Sequence, residues 1–325
     1  MILSKTPYRI SFFGGGSDYP NWYKKFGGTV ISTTIDKYIY ISFRNLGTLF
    51  GHKYKVVWSK IETENDLKLI KHDVVRVMLP HMGIDDPIEI HYQADLPARS
   101  GMGSSSSFVV GLMNSINTYK NHKISRINLA KNGIHFEQKI LKECVGVQDL
   151  ISTAIGGFNK ISIQKNGKFN VNKIKFKKNK NDLNKNLFLT FTNIQRTAND
   201  IAMKYATTLT KKKEKEMLEI VSQAHTGEKL LNLGNHDDFG KLLNEAWQKK
   251  RELNKAISNK KIDLLYSYAI ENGALGGKLL GAGGGGFMVL YVPLDKQKNF
   301  LKKFKNIKTV PFRFTDQGSE IILKN

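Results

Sequence analysis

Three glycine-centred segments constrain this chain more than any other feature. The first is Arg9-Ile10-Ser11-Phe12-Phe13-Gly14-Gly15-Gly16-Ser17-Asp18-Tyr19. The second runs Leu96-Pro97-Ala98-Arg99-Ser100-Gly101-Met102-Gly103 into Ser104-Ser105-Ser106-Ser107, and the third is Gly277-Lys278-Leu279-Leu280-Gly281-Ala282-Gly283-Gly284-Gly285-Gly286. Without a Cβ, glycine lets backbone amides close on an anion, so a glycine turn that runs into a helix is a ready phosphate site. One such loop has many explanations, but three in one chain point to a folded phosphate-handling protein.

The middle segment carries the most chemistry. Beyond it, Ser104 to Tyr119 has apolar residues at helical spacing, with Phe108, Leu112, Ile116 and Tyr119 on one side, which puts the serines at a helix start. The first amides of that helix carry its positive dipole end, where the β- and γ-phosphates of a nucleotide can rest, and Ser104 or Ser105 offers a hydroxyl to Mg²⁺. No Lys-Ser or Lys-Thr pair follows the last glycine, so this is not a Walker A loop. A flexible linker would not run straight into a periodic apolar helix. Two acids further on stand open to two readings. Glu137 is either a surface residue of its helix or a carboxylate for Mg²⁺, and Asp149, after the Gly146 turn, is either an N-cap or an acid that orients a hydroxyl for phosphoryl transfer.

Composition narrows the partners. The formal charge of +23 permits polyanion binding. Much of the excess, however, is lysine interleaved with asparagine between Lys165 and Lys185, which reads as a solvated surface, and no zinc-finger or homeodomain signature accompanies it; nucleic acid is not an expected partner. The 40% hydrophobic and 24% charged content is that of an ordinary globular chain. No apolar run reaches the roughly 18 residues a membrane span requires, and the start lacks an apolar signal region. No membrane association is expected, and a cytoplasmic location is. Cys144, the only cysteine, excludes an internal disulfide, and His52, His81, His135 and His225 lack metal-ligand spacing and read as structural.

The periodicities predict strands over Tyr8–Phe13, Thr29–Phe43, Val56–Trp58 and Ile88–Tyr92, and helices over Asn65–Met82 and Ile127–Leu141. A basic hairpin over Phe158–Phe176 and the polar stretch from Lys177 to Asn186 close a first domain, 1–186. A second domain, 187–325, opens with a strand at Leu187–Phe191. It continues through helices at Thr197–Thr208, Lys213–Leu233, Phe239–Ile257 and Ile262–Asn272, a strand at Phe287–Val292, a helix at Lys296–Phe304, and strands near Thr309–Phe314 and Ile321–Leu323. The class is α+β in two domains, and no internal repeat is visible.

In this order and at these separations, the three segments resemble the galactokinase, homoserine kinase, mevalonate kinase and phosphomevalonate kinase superfamily, the GHMP kinases. Within it, the opening motif looks like that of the D-glycero-D-manno-heptose 7-phosphate kinases. So does the stretch from Phe239-Gly240-Lys241-Leu242-Leu243 through Trp247, Lys250-Arg251, Ile257-Ser258-Asn259 and Ile262-Asp263 to the last glycine loop. The resemblance spans essentially the whole chain. It implies an N-terminal domain with a fold shared with a ribosomal protein, a C-terminal ferredoxin-like domain, and ATP bound with Mg²⁺ in the cleft between them.

The resemblance also assigns roles. Asp149 stands beside the acceptor hydroxyl, paired with Arg9, which faces the transferring phosphoryl group. Pro97, Arg99, Ser100, Gly101, Met102, Gly103, Ser104, Ser105 and Ser106 form the nucleotide stretch, with Ser105 and Glu137 on the metal. Gly15, Gly16, Ser17, Asp18, Gly283, Gly284 and Gly285 form the acceptor side, Asp18 accepting from sugar hydroxyls. Galactokinase carries Glu and His where Gly15 and Gly16 stand here, which opens the sugar pocket and argues against galactose. An acceptor phosphate needs a cation, and Arg196, Arg251 and Lys278 are the candidates, with Arg99 serving either phosphate. The expected activity is ATP-dependent phosphorylation of the anomeric hydroxyl of a manno-heptose 7-phosphate. The rivals are a kinase of an unphosphorylated sugar such as fucose, or a non-catalytic basic binding module. Self-association, as in a homodimer, is left open.

Overall fold

In the computed structural model of the chain, the described residues are 1–195, 209, 210 and 212–325. The helix expected over Thr197–Thr208 lies outside them. The strands are β1 (Ile2–Phe13), β2 (Gly28–Asn45), β3 (Tyr54–Val57), β4 (Ile61–Glu64), β5 (Ile88–Ala94), β6 (Phe158–Ile163), β7 (Phe169–Lys173), β8 (Leu187–Phe191), β9 (Gly276–Leu279), β10 (Phe287–Tyr291), β11 (Thr309–Val310), β12 (Phe314–Thr315) and β13 (Glu320–Lys324). The helices are α1 (Pro20–Phe26), α2 (Asp73–His81), α3 (Ser104–Tyr119), α4 (Arg126–His135), α5 (Gln148–Ile155), α6 (Lys180–Lys185), α7 (Glu214–Leu233), α8 (His236–Leu253), α9 (Lys260–Glu271) and α10 (Leu294–Lys303).

Two sheets organise these elements. The larger is ordered β13-β1-β2-β5-β3-β4, with β12 and the β6–β7 hairpin also on β2; the smaller is β11-β8-β10-β9. β2 is the spine of the larger sheet, long enough to pair with β6 along Gly28–Thr33 and with β5 along Ile39–Asn45. Its β-branched run has the propensity for so long a strand. Helix α3 lies across β1 and β2. Gly111 makes that approach possible, because a Cβ there would sit 2.9 Å from Thr6 Oγ1 and 3.1 Å from Ile41 Cδ1. At the far end of β1, Phe12 and Phe13 stack edge-on against Phe239 of α8, with ring centroids 5.4 and 5.1 Å apart. That aromatic contact docks the helices of the second half onto the first sheet and fixes the cleft between them.

Most elements lie where their patterns put them, and the departures have physical causes. The region from Asn65 is not one helix. Leu67–Leu69 is a separate 3₁₀ turn capped by the Asp66 carboxylate, and α2 begins only at Asp73. Strand β4 was not anticipated because Ile61, its one large apolar residue, points to solvent. Strand β9 was hidden by its glycines, which are depleted in strands; a Cβ at Gly277 would stand 2.4 Å from the Val289 carbonyl oxygen, so this close pairing with β10 requires glycine.

The largest correction concerns the chain's end. β12 and β13 were expected to complete the second domain. They instead pair with β2 and β1 in the first sheet, where the Ser319 and Thr6 hydroxyls share a buried hydrogen bond of 2.9 Å. Position along the chain suggested the second domain, and only the ladder reveals the return. A chain ending at Gln317 should therefore lose the cover on β1 and melt roughly 5 °C or more below the full chain. Thermal unfolding followed by circular dichroism measures this, and an unchanged midpoint would mean that β13 contributes nothing to the first sheet.

Candidate active site

Arg9 leaves the buried middle of β1 with its guanidinium spread over two partners. Its Nε and Nη2 donate to the two carboxylate oxygens of Asp149 at 2.7 and 2.6 Å, and its Nη1 donates to the Gly101 carbonyl at 2.7 Å. The planar fork matches the carboxylate, which makes the pair bidentate. Asp149 sits in the first turn of α5, so it is at a helix start, as the capping reading had it, but its side chain is spent on Arg9 instead of on backbone amides. Gly103, with φ +80°, closes the space above the pair. A Cβ there would lie 3.3 Å from Arg9 Cγ and 3.5 Å from Asp149 Oδ2, so the loop comes down directly onto it.

The second and third glycine segments meet. The Ser100 carbonyl accepts from the Phe287 N–H at 2.9 Å, and a Cβ on Gly101 would approach the Leu280 carbonyl oxygen to 2.5 Å. Behind this junction opens a cleft of about 480 Å³. Arg9 and Asp149 line it, with Gly101, Gly103 and Ser104 to Ser106 on one side, Gly15, Gly16 and Asp18 on another, and Arg99, Glu137 and Lys278 around them.

Other expected site residues do not face the cleft. Ser100 and Met102 are buried beneath the loop, and Pro97 is outside the lining. Ser17 is a turn-builder whose hydroxyl donates to the Gly14 and Thr29 carbonyls at 2.7 and 3.1 Å. Gly283 and Gly285 are pressed against Ile257 and Ile194, and the Gly284 N–H donates to the Ile257 carbonyl at 2.8 Å. These glycines therefore pack the third loop onto its own half of the protein. Arg251 is turned toward Asp263 at 3.3 Å and Gln248 at 3.1 Å. Arg196 lies outside the described residues.

Two acids are tuned by burial. Asp18 is almost fully enclosed, accepting from the Gly16 N–H at 3.0 Å and the Gln148 N–H at 3.3 Å. Gly146 admits it, because a Cβ there would overlap Asp18 Oδ2 at 1.8 Å. Burial and then the neighbouring Asp149 carboxylate push its pKa up to about 6. Glu137 sits in a π-helical turn, Phe136–Ile140, that follows α4. It is fully buried and accepts from Ser106 Oγ at 3.0 Å. Burial, Glu143 and Asp149 raise its pKa, while the serine bond opposes them.

This donor set fits Mg²⁺. Among the described residues no three His, Cys, Asp or Glu side chains converge as a protein cage, but Mg²⁺ is commonly held by one or two carboxylates together with substrate phosphates and water. A buried carboxylate whose charge is disfavoured by its surroundings, beside serine hydroxyls on the cleft wall, is suited to a cation. Ser106, not Ser105, is the serine bonded to Glu137.

Sequence reasoning missed an aromatic wall. Trp58, His72, Tyr92 and Phe108 line the cleft beside the serine loop, with His72 centroids 4.9 Å from Trp58 and 4.6 Å from Phe108. It also left Lys250 without a role; that residue lines the cleft and donates to the Gly281 carbonyl at 2.5 Å. Neither carries a local motif, and these side chains converge from distant elements.

Comparison with known proteins agrees with the geometry. Residues 68–157 match the family model for the GHMP kinases N terminal domain, and residues 228–307 that for the GHMP kinases C terminal. The chain belongs to the GHMP kinases, and it is a phosphotransferase of that family, whose phosphate donor is ATP. It is similar to the D-glycero-alpha-D-manno-heptose 7-phosphate kinase of Campylobacter jejuni, at 29% identity over 98% of this chain and 97% of the relative. It is also similar to the bifunctional fucokinase/GDP-fucose pyrophosphorylase of Arabidopsis thaliana, at 24% identity over 93% of this chain but only 31% of that longer protein. A D-glycero-D-manno-heptose 1-phosphate kinase from Bacteriodes thetaiotaomicron shares the fold over the full length of both chains, with a TM-score of 0.79 and 21% identity.

Asp18 makes the site sensitive to pH. The folded protein holds its proton more tightly than an ordinary carboxyl near 3.8 does. Its contribution therefore favours folding at low pH and is withdrawn as pH rises through about 6. Between pH 4 and 7 the stability of the wild type should fall relative to Asp18→Asn by about 2 kcal/mol. Denaturant titrations of both proteins across that range measure the difference, and a difference independent of pH would contradict the assignment.

Proposed function

We propose that the protein transfers the γ-phosphoryl group of ATP to the anomeric hydroxyl of D-glycero-D-manno-heptose 7-phosphate, forming the 1,7-bisphosphate on a route to nucleotide-activated heptose. The observation that carries the reading is the bidentate Arg9–Asp149 pair directly beneath the glycine loop at the start of α3. The full-length similarity to a heptose 7-phosphate kinase supports the choice of acceptor. A cytoplasmic enzyme fits this role, and among the described residues no helix is long and apolar enough to cross a membrane.

In this reading the amides opening α3 and the hydroxyls of Ser104 and Ser105 receive the phosphate tail, and the aromatic wall of Trp58, Tyr92 and Phe108 takes the base. Glu137 with a neighbouring serine hydroxyl would hold Mg²⁺, which offsets charge on the phosphate oxygens. Asp149 orients the acceptor hydroxyl and takes its proton, and Arg9 offsets the negative charge on the equatorial oxygens during a largely dissociative transfer. An anomeric hydroxyl is more acidic than an ordinary alcohol, so orientation by Asp149 contributes more than strong basicity would. Asp18 accepts from sugar hydroxyls across the cleft. Gly15 and Gly16 place no side chain between it and the acceptor, leaving room for a seven-carbon sugar.

The similarity to a fucokinase favours a second reading, in which the acceptor is an unphosphorylated sugar at the same anomeric position. ADP formation measured across heptose 7-phosphate, fucose, galactose and mevalonate separates the two. Heptose 7-phosphate is expected to win by a wide margin, and comparable turnover of any unphosphorylated acceptor would overturn the substrate assignment. Asp149→Asn should lower kcat by roughly 10²- to 10⁴-fold with KM for ATP little changed. A variant as active as its parent would remove Asp149 from the chemistry.

A further inference from the structure

Lys278 is the unusual cation of the cleft. It lies in β9, is only 5% exposed, and still contributes to the cavity lining. Its ammonium donates to the Phe12 carbonyl at 2.6 Å, which uses one of three donors. Among the described residues no carboxylate forms an ion pair with it. The charges that act on it are its own desolvation and the like charge of Arg9, which together lower its pKa to about 7. Burying a cation beside another cation is costly unless an anion completes the site.

The position says which anion. Phe12 lies at the end of β1, which leads into the turn that carries Gly15, Gly16 and Asp18, so the ammonium is anchored to the strand that delivers the acceptor-side residues of the proposed reaction. Two residues beyond Lys278, the Leu280 carbonyl abuts Gly101 of the nucleotide loop. Across the same turn, Lys250 reaches from α8 to the Leu279 and Gly281 carbonyls at 3.2 and 2.5 Å and also lines the cleft. Two lysines thus flank one wall, on strands and helices fixed by buried aromatic packing. Arg251 is ion-paired with Asp263 and does not line the cleft.

We propose that Lys278, backed by Lys250, holds the phosphate group carried by the acceptor and so selects a sugar phosphate over the free sugar. This rests on the reading of the protein as a sugar-phosphate kinase and names the residue that enforces it. Lys278 is here a specificity residue, not a participant in the transfer, and the second and third donors of its ammonium are the ones the phosphate oxygens take up.

The test compares one sugar with and without its phosphate. With ATP saturating, the ratio of kcat/KM for heptose 7-phosphate to that for the unphosphorylated heptose is measured for the wild type, Lys278→Met, Lys278→Arg and Lys250→Met. Lys278→Met should cut that ratio at least tenfold, mainly through KM of the phosphorylated acceptor, while KM for ATP changes less than threefold. Lys278→Arg should recover part of the ratio, and Lys250→Met should show a smaller loss of the same kind. If Lys278→Met falls equally on both acceptors, or raises KM for ATP instead, the lysine serves packing or the donor and the inference is wrong, while the kinase reading stands. If the wild type does not prefer the phosphorylated sugar, the substrate reading itself fails and the inference with it. Should Lys278→Met not fold, Lys278→Gln, in which the side-chain amide can still donate to the Phe12 carbonyl, is held to the same ratio.

Discussion

The bidentate ion pair between the buried Arg9 and the half-buried Asp149 is the interaction on which the rest of this structure turns. The two residues are 140 positions apart, and Arg9 has almost no access to water, so its charge could not be carried alone at this depth. Holding them together requires β1 fixed between β13 and β2, α5 delivered by the Gly146 turn, and a loop whose residue 103 has no side chain. The third guanidinium donor reaches the Gly101 carbonyl, so one arginine ties strand, helix and loop at a single point. The proposed transfer needs a counter-charge and a hydroxyl-orienting acid at a fixed spacing, and the bidentate geometry of this pair is rigid enough to hold one.

The glycines around it do different work from one another. Gly101 and Gly286 let two loops from opposite halves of the chain interlock backbone to backbone; a Cβ on Gly286 would stand 2.1 Å from the Ser100 carbonyl oxygen. Gly15 and Gly16 leave space in the cleft. Gly146 makes room for a carboxylate, and Gly283 and Gly285 pack a loop onto its neighbours. The glycines themselves put no side chain into the cleft. Its charges come from other residues of those segments, Arg9, Asp18 and Lys278, and from Glu137, Asp149 and Lys250 on other elements.

What could be read from the chain follows the range of the interactions. The start of α3 was legible because its signal is local, a glycine turn followed by an apolar stripe, and the structure begins the helix at Ser104. The two-sheet α+β class was legible from alternating patterns. The long-range facts were not. Nothing near Glu137 announces that a π-helical turn carries it inward, and by its neighbours it reads as a surface residue. Asp149 resembles a cap until Arg9 is brought beside it, and only the family resemblance anticipated that meeting. The resemblance puts Gly283 to Gly285 on the acceptor side, and the packing of this loop against Ile257 and Ile194 is a long-range fact that no stretch of sequence contains. The return of β12 and β13 to the first sheet is a pairing decision made by ladder hydrogen bonds and the buried Thr6–Ser319 contact, which no window along the chain contains. Lys278 was singled out for its charge, but its burial and lack of an acid partner are properties of the fold alone.

The most direct measurement is a crystal structure of the protein with Mg²⁺, a non-hydrolysable ATP analogue and the acceptor. The account predicts that the terminal phosphate lies between the amides opening α3 and the Arg9 guanidinium, with the acceptor's anomeric oxygen against Asp149. A triphosphate tail bound away from Ser104 to Ser106, or an acceptor oxygen remote from Asp149, would contradict it.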